Sequence, residues 1–84
     1  MINIKTERAK QLLEEACGDR GIPKNIKNSM EECLKILSDT KEAENVRLST
    51  AISILDEASA DPNISLYGRT KIWNVISQLE YLNK

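Results

Sequence analysis

Apolar residues recur along this chain at helical spacing in four stretches separated by short polar breaks. Ala9, Leu12, Leu13, Ala16 and Cys17 fall at i, i+3, i+4, i+7 and i+8, one stripe of an amphipathic helix, and Gly18 and Gly21 end the run. A second helix is expected from about Pro23 to Ser38, with Ile26, Met30, Cys33, Leu34 and Leu37 on one face. Proline suits its first position, where a missing backbone donor costs nothing. The third, roughly Glu42 to Ala60, carries Val46, Leu48, Ala51, Ile52, Ile54, Leu55 and Ala58, a stripe wide enough to predict the most buried helix. Pro62 stops it. The fourth runs from about Ser65 to Leu82 with Leu66, Ile72, Trp73, Val75, Ile76, Leu79 and Leu82. No low-complexity segment or long linker intervenes.

The four helices read as one helical hairpin written twice. Residues 9–37 lie on residues 51–79 without a gap, matching Ala9/Ala51, Leu13/Leu55, Glu15/Glu57, Ala16/Ala58, Asp19/Asp61, Ile22/Ile64 and Leu37/Leu79. Glu14/Asp56, Lys27/Arg69 and Met30/Ile72 are like-for-like swaps. A finer regularity crosses all three connections. Asp19 precedes Ile26 and Lys27 at the spacing by which Asp39 precedes Val46 and Arg47, and Asp61 precedes Gly68 and Arg69. A turn aspartate can accept hydrogen bonds from free backbone amides, while a cation in the next helix reaches back to it or to the preceding helix. HEAT-type repeats carry a similar pattern, but two hairpins fall short of the three or so repeats a solenoid needs. The expected architecture is therefore all-α, a closed four-helix bundle in a single domain, with hairpin one at about 4–38 and hairpin two at about 42–82.

Composition narrows the chemistry. Eighty-four residues form one small domain that buries only about 60 to 70% of the surface its unfolded chain exposes, so a disulfide, a metal or a partner subunit would be a useful addition. Histidine is absent, which removes the commonest general base and metal ligand. Antiparallel packing offsets Cys17 and Cys33 by roughly nine residues, about 13 Å along the helices. A disulfide needs Cα atoms within about 7 Å, so both cysteines read as small buried fillers in a reducing cytosol. Association with another chain is the remaining option. Twelve basic and thirteen acidic residues give a net charge of −1, too balanced for a nonspecific nucleic-acid binder. There is no leader-like amino terminus and no apolar run approaching the ~20 residues that span a bilayer, so the expected location is cytoplasmic.

The stretches GIPKNIK, VRLSTAISILDEASADPN and RTKIWNVISQLE together make the chain resemble uncharacterised protein family 0147, a group of short archaeal proteins, over most of its length. DPN and RTKIWNVISQLE are the most specific of these. The resemblance implies an archaeal, cytosolic, four-helix protein and implies no activity. Proline commonly stands in that family where this chain has Ser65, and its absence weakens the start signal of the last helix.

Three sets of residues are candidates for more than packing. Glu14 with Lys27, and Asp56 with Arg69, lie at matching distances across their turns and are expected to form two structural ion pairs. The alternative for Asp56, Glu57 and Asp61, a carboxylate cluster for a metal or for acid/base work, is disfavoured by recurrence at the duplicate position. Arg20, Lys24 and Lys27 surround the start of the second helix, where uncapped amides could hold a phosphate, such as that of RNA in an RNA or ribosome-associated complex. An ordinary solvated turn is the plainer account of them. Finally, Leu48, Ile52, Leu66 and Trp73 stand where hairpin one has Thr6, Lys10, Lys24 and Glu31. This extra apolar surface either covers hairpin one inside an asymmetric bundle or docks a partner, with Trp73 as anchor. The serines lack an activating base, and no catalytic residue, cofactor site or metal site is expected. The leading expectation is a noncatalytic protein-interaction or adaptor module, homo-oligomeric or bound to another protein. A component of an RNA complex is the alternative.

Overall fold

The computed structural model describes residues 4–83 and contains four helices, α1 (Ile4–Cys17), α2 (Lys24–Ser38), α3 (Glu44–Ser59) and α4 (Leu66–Leu82), with no strand among the described residues. Each helix packs on its chain neighbours, and α1 also meets α4, closing an all-α four-helix bundle. The helix bounds fall within two residues of those the periodicity predicts. Of the two diagonals, α1 and α3 touch while α2 and α4 do not. Small side chains explain the difference. Ala9, Ala16 and Ala51 are all buried and let α1 and α3 approach, and Leu13 and Leu55 pack beside them. Four of the seven identities between the hairpins, Ala9/Ala51, Leu13/Leu55, Ala16/Ala58 and Leu37/Leu79, therefore mark the inward faces. Nothing in the structure explains the match of Glu15 with Glu57.

The three connections share one construction. The amide of each turn aspartate donates to a carbonyl three residues back, Asp19 to Ala16, Asp39 to Ile36 and Asp61 to Ala58, at 3.1, 3.1 and 3.2 Å. Its carboxylate then accepts from the amide two residues ahead, Gly21, Lys41 and Asn63, at 2.8, 3.0 and 2.9 Å. The N-cap of the next helix lies four residues after each aspartate, at Pro23, Ala43 and Ser65, all extended with φ near −61 to −68° and ψ from 150 to 158°. Ser65 is a good N-cap in its own right, since its hydroxyl accepts the Gly68 amide at 3.0 Å, so the missing proline costs the helix start nothing. Ile22 and Ile64 plug the two outer turns.

Two of the three cations in the pattern, Arg47 and Arg69, reach back as expected, whereas Lys27 does not. Arg47 is only 4% exposed. Its guanidinium donates to the Leu37 carbonyl at 2.5 Å and the Glu42 carbonyl at 3.1 Å, so it satisfies the otherwise orphaned C-terminal end of α2. Arg69 donates to the Asp61 carbonyl at 3.1 Å. The expected pairs Glu14–Lys27 and Asp56–Arg69 do not close. Arg69 is directed at a backbone carbonyl in the turn, not at the Asp56 carboxylate, and no ion pair joins Glu14 to Lys27. The ion pairs that form include Lys10–Glu7 at 3.8 Å and Lys71–Asp19 at 3.4 Å.

The expectation that α3 is the most buried helix also fails. Its buried residues are Arg47, Leu48, Ala51 and Leu55, against five each on α1 and α4. Its apolar stripe is wider than its neighbours can cover. Val46 is 43% exposed, and Ile52 and Ile54 sit half-buried at the margins of the core. Both cysteines are free, Cys33 fully buried against the Ala51 carbonyl and Cys17 half-buried. Among the described residues no helix is long and apolar enough to cross a membrane.

Replacing Arg47 leaves the Leu37 carbonyl buried and unmet, so Arg47→Ala should cost about 2–3 kcal/mol, a fall in Tm of roughly 10 °C or more in a domain this small. Asp56→Ala should stay within about 0.5 kcal/mol. Thermal melts followed by circular dichroism compare the two; similar losses would contradict this assignment of roles.

Candidate functional site

The candidate residues fall in two regions, one at the end of the bundle that holds the outer turns and one along the exposed side of α4. At the first, the two hairpins grip each other reciprocally. Asn25 at the start of α2 donates its amide to Asp61 Oδ2 at 2.9 Å, and Tyr67 at the start of α4 donates its hydroxyl to Asp19 Oδ2 at 2.6 Å. Positions 25 and 67, like 19 and 61, are equivalent in the repeat, so one contact is made twice about an approximate twofold. Lys71 adds a cation beside Asp19 at 3.4 Å. Gly21 lies directly under the Tyr67 ring, where any Cβ would overlap the ring carbons.

This arrangement changes the standing of the basic turn. Arg20 and Lys24 are exposed and Lys27 is half-buried, so the three cations do flank the start of α2 as expected. Pro23 makes no side-chain cap. However, the chain brings the Asp61 carboxylate to that helix start through Asn25, which supplies negative charge where the helix dipole favours it. The alternative of a metal or acid/base cluster at Asp56, Glu57 and Asp61 meets the same fact, because Asp61 spends its oxygens on Asn63 and Asn25. Among the described residues no group of three or more acids and cysteines could hold a metal ion.

The four residues of the extra apolar surface, two on α3 and two on α4, part company. Leu48 is fully buried in the core, and Ile52 is half-buried against it. Leu66 and Trp73 remain outside, 78% and 53% exposed. Helical spacing puts these two on one side of α4. The core reading therefore accounts for Leu48 and, in part, Ile52, and Leu66 and Trp73 are left on the surface. Tyr81, 72% exposed, carries the aromatic surface on toward the end of the helix, two turns beyond Trp73. Beside it the seam between α1 and α4 opens into a cleft of about 370 Å³ lined by Arg8, Leu12, Ser77, Gln78, Tyr81 and Leu82. The sequence gives no sign of this cleft, because it arises where two stripes fail to meet. A helical-wheel reading of Trp73, Ser77 and Tyr81 would have found the aromatic line.

The family model of the uncharacterised protein family UPF0147 matches residues 2–82. The chain belongs to this family. A UPF0147 protein of Methanothermobacter thermautotrophicus is 40% identical over 84 residues, covering 100% of this chain and 82% of the relative. Another, from Methanosarcina mazei, is 44% identical over 70 residues, 83% of this chain and 75% of the relative. The fold recurs in the crystal structure of a UPF0147 protein from Thermoplasma acidophilum, with a TM-score of 0.81 at 35% identity over 93% of this chain and 92% of that one. It recurs also in the crystal structure of a protein of unknown function, MMP1188, with a TM-score of 0.78 at 36% identity over 90% of this chain and 86% of the other. UPF0147 membership accounts for the archaeal relatives and the four-helix architecture and assigns no activity.

Burial works against thiolate formation at both cysteines of this UPF0147 protein. Burial pushes Cys33 up to about 12, with Glu32 and Cys17 adding to the rise. Cys17 is raised by burial and by Glu31 and Glu14, against the opposing pull of Lys27. A nucleophilic cysteine needs the reverse.

The grip between the hairpins has a pH signature. The Tyr67 hydroxyl, then the Gly21 amide and Lys71, hold Asp19 below the ordinary carboxylate range, and the same hydrogen bond raises the Tyr67 phenol. Asp19 thus contributes stability above its ordinary value of about 4, lost as pH falls through the lower folded value. Tyr67 contributes below its ordinary value of about 10, lost as pH rises through the higher folded one. In a Tyr81→Phe background, phenolate absorbance should titrate above the ordinary tyrosine value, and Asp19→Asn should return it there. An unmoved titration would show that the bond does not form.

Proposed function

We propose that this protein is a noncatalytic interaction module that presents the outer side of α4 to a protein partner, with Trp73 as the anchor. One observation carries the reading: the chain's single tryptophan stands 53% exposed, on the same side of its helix as the still more exposed Leu66. Large aromatic side chains dominate binding energetics where they enter a partner's pocket, and tryptophan leads that group. Ile52 is half-buried against the core and Leu48 is fully within it, so neither adds to the exposed anchor. Two further points support a role without catalysis. The chain has no histidine, and its cysteines are held as thiols by burial.

Because Trp73 packs so little into the core, Trp73→Ser should fold with a stability change within about 0.5 kcal/mol. Tagged wild-type chain, used to capture partners from native extract treated with RNase, should retain a protein that Trp73→Ser loses. Recovery of the same partners by both chains would overturn the reading. Recovery that disappears with RNase would move the function to the Arg20, Lys24 and Lys27 turn.

A further inference from the structure

The outer surface formed by α1 and α4 is built so that it can meet itself. On α4, Trp73, Ser77 and Tyr81 follow at i, i+4 and i+8, two exposed aromatics at equal distance from a small residue. On α1, Arg8, Leu12 and Glu15 follow at i, i+4 and i+7, a cation and an anion on either side of an apolar residue. All of these but Trp73 line two adjoining clefts between α1 and α4. Arg8 lines the larger cleft of about 370 Å³ with Ser77 and Tyr81, and Glu15 lines a smaller one of about 190 Å³ beside Asn74. The two clefts share Leu12 and Gln78.

A twofold axis lying beside Ser77, with two α4 helices antiparallel, reverses both patterns at once. Trp73 of one copy then falls opposite Tyr81 of the other, over the larger cleft, and Ser77 meets Ser77 where the backbones come closest. Arg8 of each copy reaches the level of Glu15 of the other, so charges of opposite sign face each other at both ends. Like charges would face each other if the helices ran parallel. We propose that two copies of this chain pair in this way, through Trp73 in the α1/α4 cleft and exchanged Arg8–Glu15 ion pairs.

The proposal rests on the interaction-module reading and names the partner as a second copy. Area sets its strength. With Trp73 and Tyr81 at their present exposure and a full aromatic side chain offering about 150–250 Å², the four aromatics remove roughly 400–600 Å² from water. The rest of the α1/α4 surface must bring the total toward the 1,200 Å² or so at which stable interfaces begin. The dimer is therefore weak and concentration-dependent, and it closes by symmetry without propagating.

Sedimentation equilibrium of the purified chain should show a mass rising from the monomer's 9.5 kDa toward twice that between about 1 μM and 1 mM, with Trp73 emission shifting to the blue in parallel. Arg8→Glu and Glu15→Arg should each weaken pairing by about tenfold or more, and the two reversals combined in one chain should restore it. All these positions are exposed, and circular dichroism checks that each variant folds. A monomer across the whole range, or a dimer indifferent to both reversals, overturns the pairing. If the monomer still captures a Trp73-dependent protein from extract, the interaction-module reading stands without it; if that capture fails as well, both are overturned.

Discussion

Everything in this protein hangs on how the chain reverses direction. A helix that ends leaves carbonyls without partners, and a helix that starts leaves amides without them. Three times the chain meets the first deficit with an aspartate and uses the same residue to shape the turn. Its amide closes the last turn of the outgoing helix, and its carboxylate fixes the amide two residues on. In each case the N-cap of the next helix falls four residues after the aspartate. Once that number is set, the phase of every later apolar residue is set too. Arg47 shows how far the scheme extends, for a guanidinium is taken almost wholly out of water to meet a carbonyl that the turn alone could not. Burial of that charge is tolerable because its partners are fixed backbone dipoles.

The helices, their ends and the bundle were legible in the sequence because each rests on a local rule. Period 3.6 gives the stripes, and Gly18, Pro23 and Pro62 give the breaks. The repeated aspartate was legible as a backbone acceptor for the same reason. What was not legible depended on distances between helices. Glu14 and Lys27 sit symmetrically about a turn in sequence, yet that symmetry does not say where their long side chains will end. The breadth of the α3 stripe likewise said nothing about how much of it three neighbours could cover, so Val46 and Ile54 remained partly in solvent. The family resemblance was carried by its most specific stretches. It added the archaeal context and left chemistry open.

The candidate site was half legible. Comparing the two hairpins singled out Leu48, Ile52, Leu66 and Trp73, and sequence alone cannot divide such a set, because an apolar side chain looks the same whether a neighbour or a partner covers it. The structure divides it by depth, leaving Leu66 and Trp73 as the surface pair. The contact between Asn25 and Asp61, and its counterpart between Tyr67 and Asp19, escaped notice for another reason: asparagine and tyrosine share a donor and little else.

That twice-made contact has a consequence for what the chain is free to become. A contact in which position 25 of one half grips position 61 of the other, while position 67 grips position 19, is the isologous geometry of two identical hairpins assembled as a dimer. Joined in one chain, the halves no longer have to change together. One could keep asparagine where the other took tyrosine, with a glycine beneath its ring. The same release allows a tryptophan to stand on one hairpin and a glutamate at its equivalent on the other. A dimer of identical hairpins would carry any such patch in duplicate on opposite sides, and fusion is what lets this small bundle have a single distinguished face.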